Sequence, residues 1–238
     1  YDHHYNIKTA NGDDVAVWMP EGGTIPIADG MADFSDITLQ SHKLAVFLKL
    51  EEAFIKDATF NIEDYLVSRL AKTFGRAEDN GFINGIGTDM PTGILAADGG
   101  AEVGVSASAI TYEDVVKLFF SVKPEYRKNG VWLMNDETAL ALRTLKDEGG
   151  NYIWNHANDT ILGKKVCISE FMPSVESGSK PIVFGDFSYY WIVGRRPVSV
   201  RTLVEKFAMV DCIGYLAYEF LDGKLVRPEA IKVMEMTA

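Results

Sequence analysis

The stretch from Phe82 to Leu95, FINGIGTDMPTGIL, gathers Gly85, Gly87 and Gly93 in one short loop. A Gly-x-Gly pair raises the possibility of phosphate binding, because glycine-rich backbone lets N–H groups close on phosphate oxygens. The spacing argues otherwise. A P-loop needs Lys and then Ser or Thr after its last glycine, whereas Gly93 is followed by Ile94 and Leu95. A dinucleotide fingerprint follows a strand and needs a third glycine; here a helical pattern precedes the loop, and Met90 stands three residues after Gly87. The geometric reading is that Gly85 and Gly87 supply positive φ where the chain changes direction. Met90-Pro91-Thr92-Gly93 is then a turn with Pro91 at its second position.

Other reactive side chains do not combine into a site. The histidines are His3, His4, His42 and His156, with no HExxH or comparable ligand spacing; His3-His4 is at most an adventitious chelator. There is no GxSxG elbow for a serine hydrolase. Glu51 and Glu52, if extended, point to opposite faces, a poor geometry for paired acid–base work. The GDF triplet at Gly185–Phe187 lacks the partner motifs of a kinase or metal site and reads as a strand end and turn. Cys167 and Cys212 are far apart in sequence and outside any CxxC pattern, so they read as buried free thiols. The expectation is no catalytic residue, no cofactor and no metal. Arg195, Arg196, Arg201 and Arg227 form one basic concentration. Either they are solvated or paired within the chain, with Glu205, Glu219 or Glu229, or they meet acidic groups on other subunits.

The elements that carry these residues follow from periodicity. Residues 7–50 read as extended: NGDD at Asn11–Asp14 signals a turn, VAVWM alternates, and ITLQSHKLAVFLKL reads as one long strand. The irregular stretch between them describes a protruding hairpin loop, of a length that usually has a task. From Asn61, an expected N-cap, Ile62, Tyr65, Leu66, Leu70, Phe74 and Ala77 repeat at spacings of three and four. They predict a helix over about 61–80, stopped by Gly81, with Lys72, Arg76, Glu78 and Asp79 on its wet side. Residues 109–188 alternate helix and strand as an α/β unit, with Thr111 and Asp136 as helix caps. The tail is strand-rich, with Asp222-Gly223 as a tight hairpin turn.

Composition bounds the partners. The 238 residues carry 23 basic and 34 acidic side chains, a net charge of −11. That balance opposes gripping nucleic acid or anionic lipid by bulk electrostatics. No apolar run reaches the length of a membrane helix, and no signal peptide is visible.

The order of these parts resembles the tailed-phage major capsid protein family, with its Hong Kong 97-type fold. VAVWMPEGG resembles the lead-in to the family's E-loop, which FSDITLQSHKLAVFLKLEEAFIKDA closes. NIEDYLVSRLAKTFGRAEDNGFINGIGTDMPTGIL resembles the spine helix and its glycine turn. GVWLMNDETALALRTLKDEGGNYIW and PIVFGDFSYYWIVGRR resemble the axial domain and its return strand, and DGKLVRPEAIKVM the closing strands of the peripheral domain. The resemblance implies an α+β fold: an arm over residues 1–14, an E-loop hairpin over 15–50, and peripheral-domain residues 51–108 with the spine helix. An axial α/β domain follows over 109–188, then return strands over 189–238.

It also implies a function: a structural, non-catalytic major capsid subunit that assembles into pentamers and hexamers of an icosahedral shell around double-stranded DNA. The implied setting is the virion, with assembly in the host cytoplasm, portal and scaffold or protease proteins as partners, weak non-specific contact with DNA, and no membrane. Expected interface residues are Trp18, Met19, Ile25, Ile27, Met31 and Phe34, with Arg195, Arg196 and Arg201. An encapsulin-like nanocompartment shell is the alternative, and a cytosolic α/β enzyme a distant one. The start at Tyr1 fits removal of a scaffolding segment, and equally a truncated arm. Some relatives weld their shells through Lys–Asn isopeptide bonds. Here no lysine lies between Lys8 and Lys43, and no asparagine follows Asn158. Boiled, reduced particles are therefore expected to run as a single monomer band on a denaturing gel, not as a ladder.

Overall fold

The structure, a computed structural model, describes residues 5–10, 34–57 and 61–238. It divides into two units, Tyr1–Ser41 and His42–Ala238. In the first, β1 (Tyr5–Ala10) and β2 (Phe34–Leu39) form an antiparallel ribbon, in register from Tyr5↔Leu39 to Ala10↔Phe34. Trp18, Met19, Ile25, Ile27 and Met31 lie outside the described residues, as do the NGDD and VAVWM segments. The stretch expected as one strand is interrupted at Gln40–Ser41, and its second half, β3 (His42–Glu51), joins a different sheet.

In the second unit, β3 is followed by the short helix α1 (Glu52–Asp57) and the long helix α2 (Ile62–Asn84). Asn61 caps α2: its side-chain oxygen accepts from the Glu63 N–H at 3.0 Å, and its amide donates to Asp64 at 2.9 Å. Leu66, Leu70 and Phe74, four residues apart, are buried. Leu70 and Phe74 pack on Ala217 and on Leu44, Val46 and Leu48, the inward half of β3's strict alternation. The helix runs past Gly81, the expected stop, to a C-cap at Gly85.

A seven-stranded mixed sheet has the order β4-β12-β9-β5-β8-β7-β6. In chain order its strands are β4 (Glu102–Ala107), β5 (Val131–Met134), β6 (Trp154–Asn155), β7 (Thr160–Ile161), β8 (Lys164–Ile168), β9 (Ile182–Gly185) and β12 (Ile231–Met236). Helices α3 (Tyr112–Ser121), α4 (Pro124–Arg127) and α5 (Asp136–Thr144) connect them. The core gathers Val115, Leu118, Trp132, Leu142, Phe184 and Met234. Thr111 caps α3. The cap of α5 is Asn135, not Asp136. Asn135 is buried, and its oxygen accepts from Thr138 N–H at 2.8 Å while its amide donates to the Met172 carbonyl and the Ser174 hydroxyl. A carboxylate could accept there but could not donate.

The strands β10 (Tyr190–Leu203) and β11 (Cys212–Leu225) complete a three-stranded antiparallel sheet, β10-β11-β3, that seats α2. Asp222-Gly223 is not a hairpin turn; it lies within β11, paired with Val193 and Ile192. Glycine is needed there for packing, because a Cβ would stand 2.6 Å from the Tyr190 hydroxyl and 2.9 Å from the Phe82 ring.

Candidate functional site

The glycine loop closes the end of α2. The last carbonyls of a helix have no partner within it, and here the C-cap residue and the returning chain supply them. Gly85 N–H donates to Gly81 O at 3.0 Å, Ile94 N–H to Phe82 O at 2.8 Å, and Leu95 N–H to Ile83 O at 2.9 Å. Of the two glycines expected at positive φ, only Gly87 adopts it, at +78°; Gly85 is extended, with φ −60°. Gly85 and Gly93 are required by close approach instead. A Cβ on Gly85 would lie 2.1 Å from Pro91 O, and one on Gly93 2.5 Å from both Gly85 N and Ile83 O. Nor does Pro91 occupy the second position of a turn. The chain bends at Gly87–Met90, and Pro91 leads into Thr92, which bridges to Ile86. Thr92 N–H then donates to Gly223 O, and the Tyr190 hydroxyl to Thr92 O, tying the loop to β11 and β10.

Two of the expected interface arginines, Arg196 and Arg201, lie on the face of the three-stranded sheet turned away from α2. Strand alternation and register place Lys43, Ala45, Phe47 and Lys49 of β3 on this face, beside Leu216, Tyr218 and Phe220 of β11 and Arg196, Ser199, Arg201 and Leu203 of β10. The next residue of β3 on this face is Glu51, at the end of the strand; none of the other positions is acidic, in a chain of net charge −11. Lys43 Nζ and the Arg201 guanidinium both lie over the Tyr218 ring, at 5.1 and 5.6 Å. Tyr218 meets Phe220 edge-on at 6.0 Å, and Phe47 meets Phe207 at 5.5 Å. Cations held over rings keep their charge presented while their stems cover apolar surface. Arg195 and Arg196 are exposed on β10, and Phe34 is the first residue of β2.

Strand β10 is an edge, and its sequence blunts it. Pro197 cannot donate to a ladder, and the register shifts between Gly194 and Arg196 and again between Arg196 and Ser199. Exposed apolar groups nonetheless run along it, with Ile192, Val198 and Val200 about half exposed and Met209 beyond its end 100% exposed. Such a surface suits a neighbour that docks by side chains rather than by strand addition.

The remaining candidates separate. Arg227 is engaged within the chain: it donates to the Tyr126 hydroxyl at 2.9 Å, which donates to Glu229 at 3.2 Å. Glu219 meets none of the arginines; it is buried, and its partner is Glu78 of α2, a residue expected on the wet side of the helix. The spacing Leu66, Leu70, Phe74, Glu78 carries the signal that places Glu78 on the inward stripe. Cys167 and Cys212 are free thiols, Cys212 buried and Cys167 partly so. Among the described residues, no three His, Cys, Asp or Glu side chains are grouped to hold a metal ion, and no helix is long and apolar enough to cross a membrane.

Known proteins share this arrangement. The sequence model of the phage capsid family matches residues 2–236. The capsid of an empty GTA particle, computed with C5 symmetry, is 29% identical with a TM-score of 0.84, over 99% of this chain and 85% of that one. The capsid of the native GTA particle is 28% identical with a TM-score of 0.78, over the same shares. A chain of Mycobacterium phage Adephagia, 18% identical, shares the fold at a TM-score of 0.66, over 100% of this chain and 86% of that one. No curated protein matches the chain.

Proposed function

The chain belongs to the phage capsid family and is the major capsid subunit of a phage-like shell, and from that premise we propose how its copies meet. The GTA capsid it resembles was computed with C5 symmetry; by analogy, copies of this chain form pentamers, and hexamers between them, and close an icosahedral shell around double-stranded DNA. The work is mechanical and non-catalytic. Assembly takes place in the host cytoplasm with portal and scaffold or protease proteins, and the acidic chain touches DNA weakly. The matched structures do not favour the nanocompartment alternative.

The observation that carries the proposal is the cation-and-ring face of the three-stranded sheet. Between Lys8 and Lys43 the sequence bears Asp13, Asp14, Glu21, Asp29, Asp33 and Asp36, and neither lysine nor arginine. The same segment carries Trp18, Met19, Ile25, Ile27, Met31 and Phe34. Acidic and apolar together, it complements Lys43, Lys49, Arg196 and Arg201 set among Phe47, Tyr218 and Phe220 on another copy. Aromatic and arginine side chains are the groups that dominate such contacts, and heterologous contacts of this kind close into rings.

Light-scattering mass after size-exclusion chromatography, with negative-stain microscopy of each peak, tests this. Rings or closed shells are the expected result. Arg196→Glu should reduce particle yield roughly tenfold, since like charges set together across an interface are costly. Its melting temperature as a free subunit should change by no more than about 2 °C, because the side chain is exposed. Unchanged particle yield would remove Arg196 from the interface.

A further inference from the structure

Helix α2 and the sheet beneath it meet through two carboxyl groups. Glu219 stands in β11 directly opposite Leu44 of β3, is only 9% exposed, and its Oε1 has no hydrogen-bond donor. Glu78 follows Leu66, Leu70 and Phe74 on the inward stripe of α2; Phe74 packs on Ala217, the inward neighbour of Glu219 on β11, and Glu78 one turn on acts on the Glu219 carboxyl. Two carboxylates have no proton to share, so a bond between them exists only while one is protonated. Beside the pair, a cavity of about 440 Å³ is lined by His42, Leu44, Ala77, Glu78, Gly81 and Leu221. It lies along the C-terminal half of α2, on the side that carries Glu78.

We propose that Glu78 and Glu219 form a proton-operated latch between α2 and the three-stranded sheet, closed while the pair holds a proton and released when both carboxyls ionise.

Besides Glu78, the titratable groups lining the cavity are His42, Lys43 and Asp89. From α2, Glu78 is the charged group that acts on Glu219. From β3, the facing residue is Leu44; Lys43 belongs to the opposite face, and His42 lies 3.5 Å from Asp222. From β10, Arg196 and Ser199 are paired with Phe220 and Tyr218, the positions on either side of Glu219, whose side chains belong to the opposite face. Burial first, and then Glu78, push the Glu219 carboxyl up to about 7. A group raised above its unfolded value stabilises the fold fully below that unfolded value, and the contribution is lost as pH rises through the folded value. The latch is therefore closed in mildly acidic solution and released above about pH 7. It belongs to the single chain and does not depend on how copies meet.

The test is hydrogen exchange of the full chain, followed by mass spectrometry from about pH 5 to about pH 8.5, with each rate divided by its intrinsic value at that pH. Protection of residues 74–84 is expected to fall on the order of a hundredfold across the range, while residues 131–142 keep theirs. Glu219→Gln retains the shape and donates permanently to Glu78, so its protection over 74–84 should be flat with pH. Glu78→Gln makes the same bond from the other side and serves if Glu219→Gln fails to fold. A wild-type profile without the fall, or an equal fall in both variants, would overturn the latch.

Discussion

Gly93→Ala is expected to lower the melting temperature by roughly 10 °C, from a loss of about 3–4 kcal/mol. The added methyl carbon would stand 2.5 Å from Gly85 N and from Ile83 O and 2.7 Å from the Ile83 carbonyl carbon. All three are backbone atoms, so no side-chain rotation relieves the clash, and overpacking of this kind is not absorbed cheaply. Relief requires the returning chain to lift from α2. The bonds from Gly93 N–H to Gly85 O, Ile94 N–H to Phe82 O and Leu95 N–H to Ile83 O would then be lost together, and Ile94 would leave a core it shares with Ile83, Val183 and Val233. Gly75→Ala supplies the control. It lies within the same helix, and a Cβ there meets nothing within 4 Å. Alanine replaces the least favourable helix residue short of proline, so stability should rise by about 0.5–1 kcal/mol. Opposite shifts for the two variants in a thermal melt would show that close approach, not glycine as such, is the requirement at Gly93.

Trp132→Ala should cost about 4–5 kcal/mol, the upper range for removing a large aromatic from a core. Trp132 is fully buried on β5, which lies between β9 and β8 in the seven-stranded sheet. Its ring is 4.3 Å from that of Phe184 and stacks on Phe119 at 6.3 Å. Its indole N–H donates to the Ile161 carbonyl at 3.0 Å. Truncation therefore opens a cavity and also leaves that carbonyl without its donor, and the second loss adds to the first. Trp132→Phe restores most of the volume but not the donor, so it should recover more than half of the loss. Calorimetry on the free subunit measures both; a loss below about 2 kcal/mol for Trp132→Ala would mean the sheet collapses to refill the space.

Much of the architecture was legible in the sequence because its signals are local. Periods of 3.6 and 2 revealed α2 and β3, since each reflects residues within one turn or one pleat. Asn61 and Thr111 could be read as caps for the same reason: each bonds a backbone N–H two or three residues on. The order of parts carried the family resemblance along nearly the whole chain, which the family match over residues 2–236 covers.

What the sequence left undecided, or led astray, depends on atoms brought together from distant positions. Asp222-Gly223 has the composition of a turn, but Tyr190 and Phe82 pack against that glycine and keep it in a strand. Gly85 looked like a site of unusual φ and Gly93 like the end of a turn, yet what excludes a side chain at both is neighbouring backbone. Glu78 looked like one more solvated charge until β11 set Glu219 against it. The gathering of Lys43 and Arg201 over Tyr218, with Arg196 opposite Phe220, needs β3, far away in the chain, to pair with β11 in one register. The sequence alone thus determined where α2 and β3 lie, which residues cap α2 and α3 and in what order the parts come, because those preferences act between near neighbours. Only the tertiary structure decided which glycines are indispensable, which carboxyls are set against each other and which cations form one surface, because each depends on a distance between residues that the chain itself does not constrain.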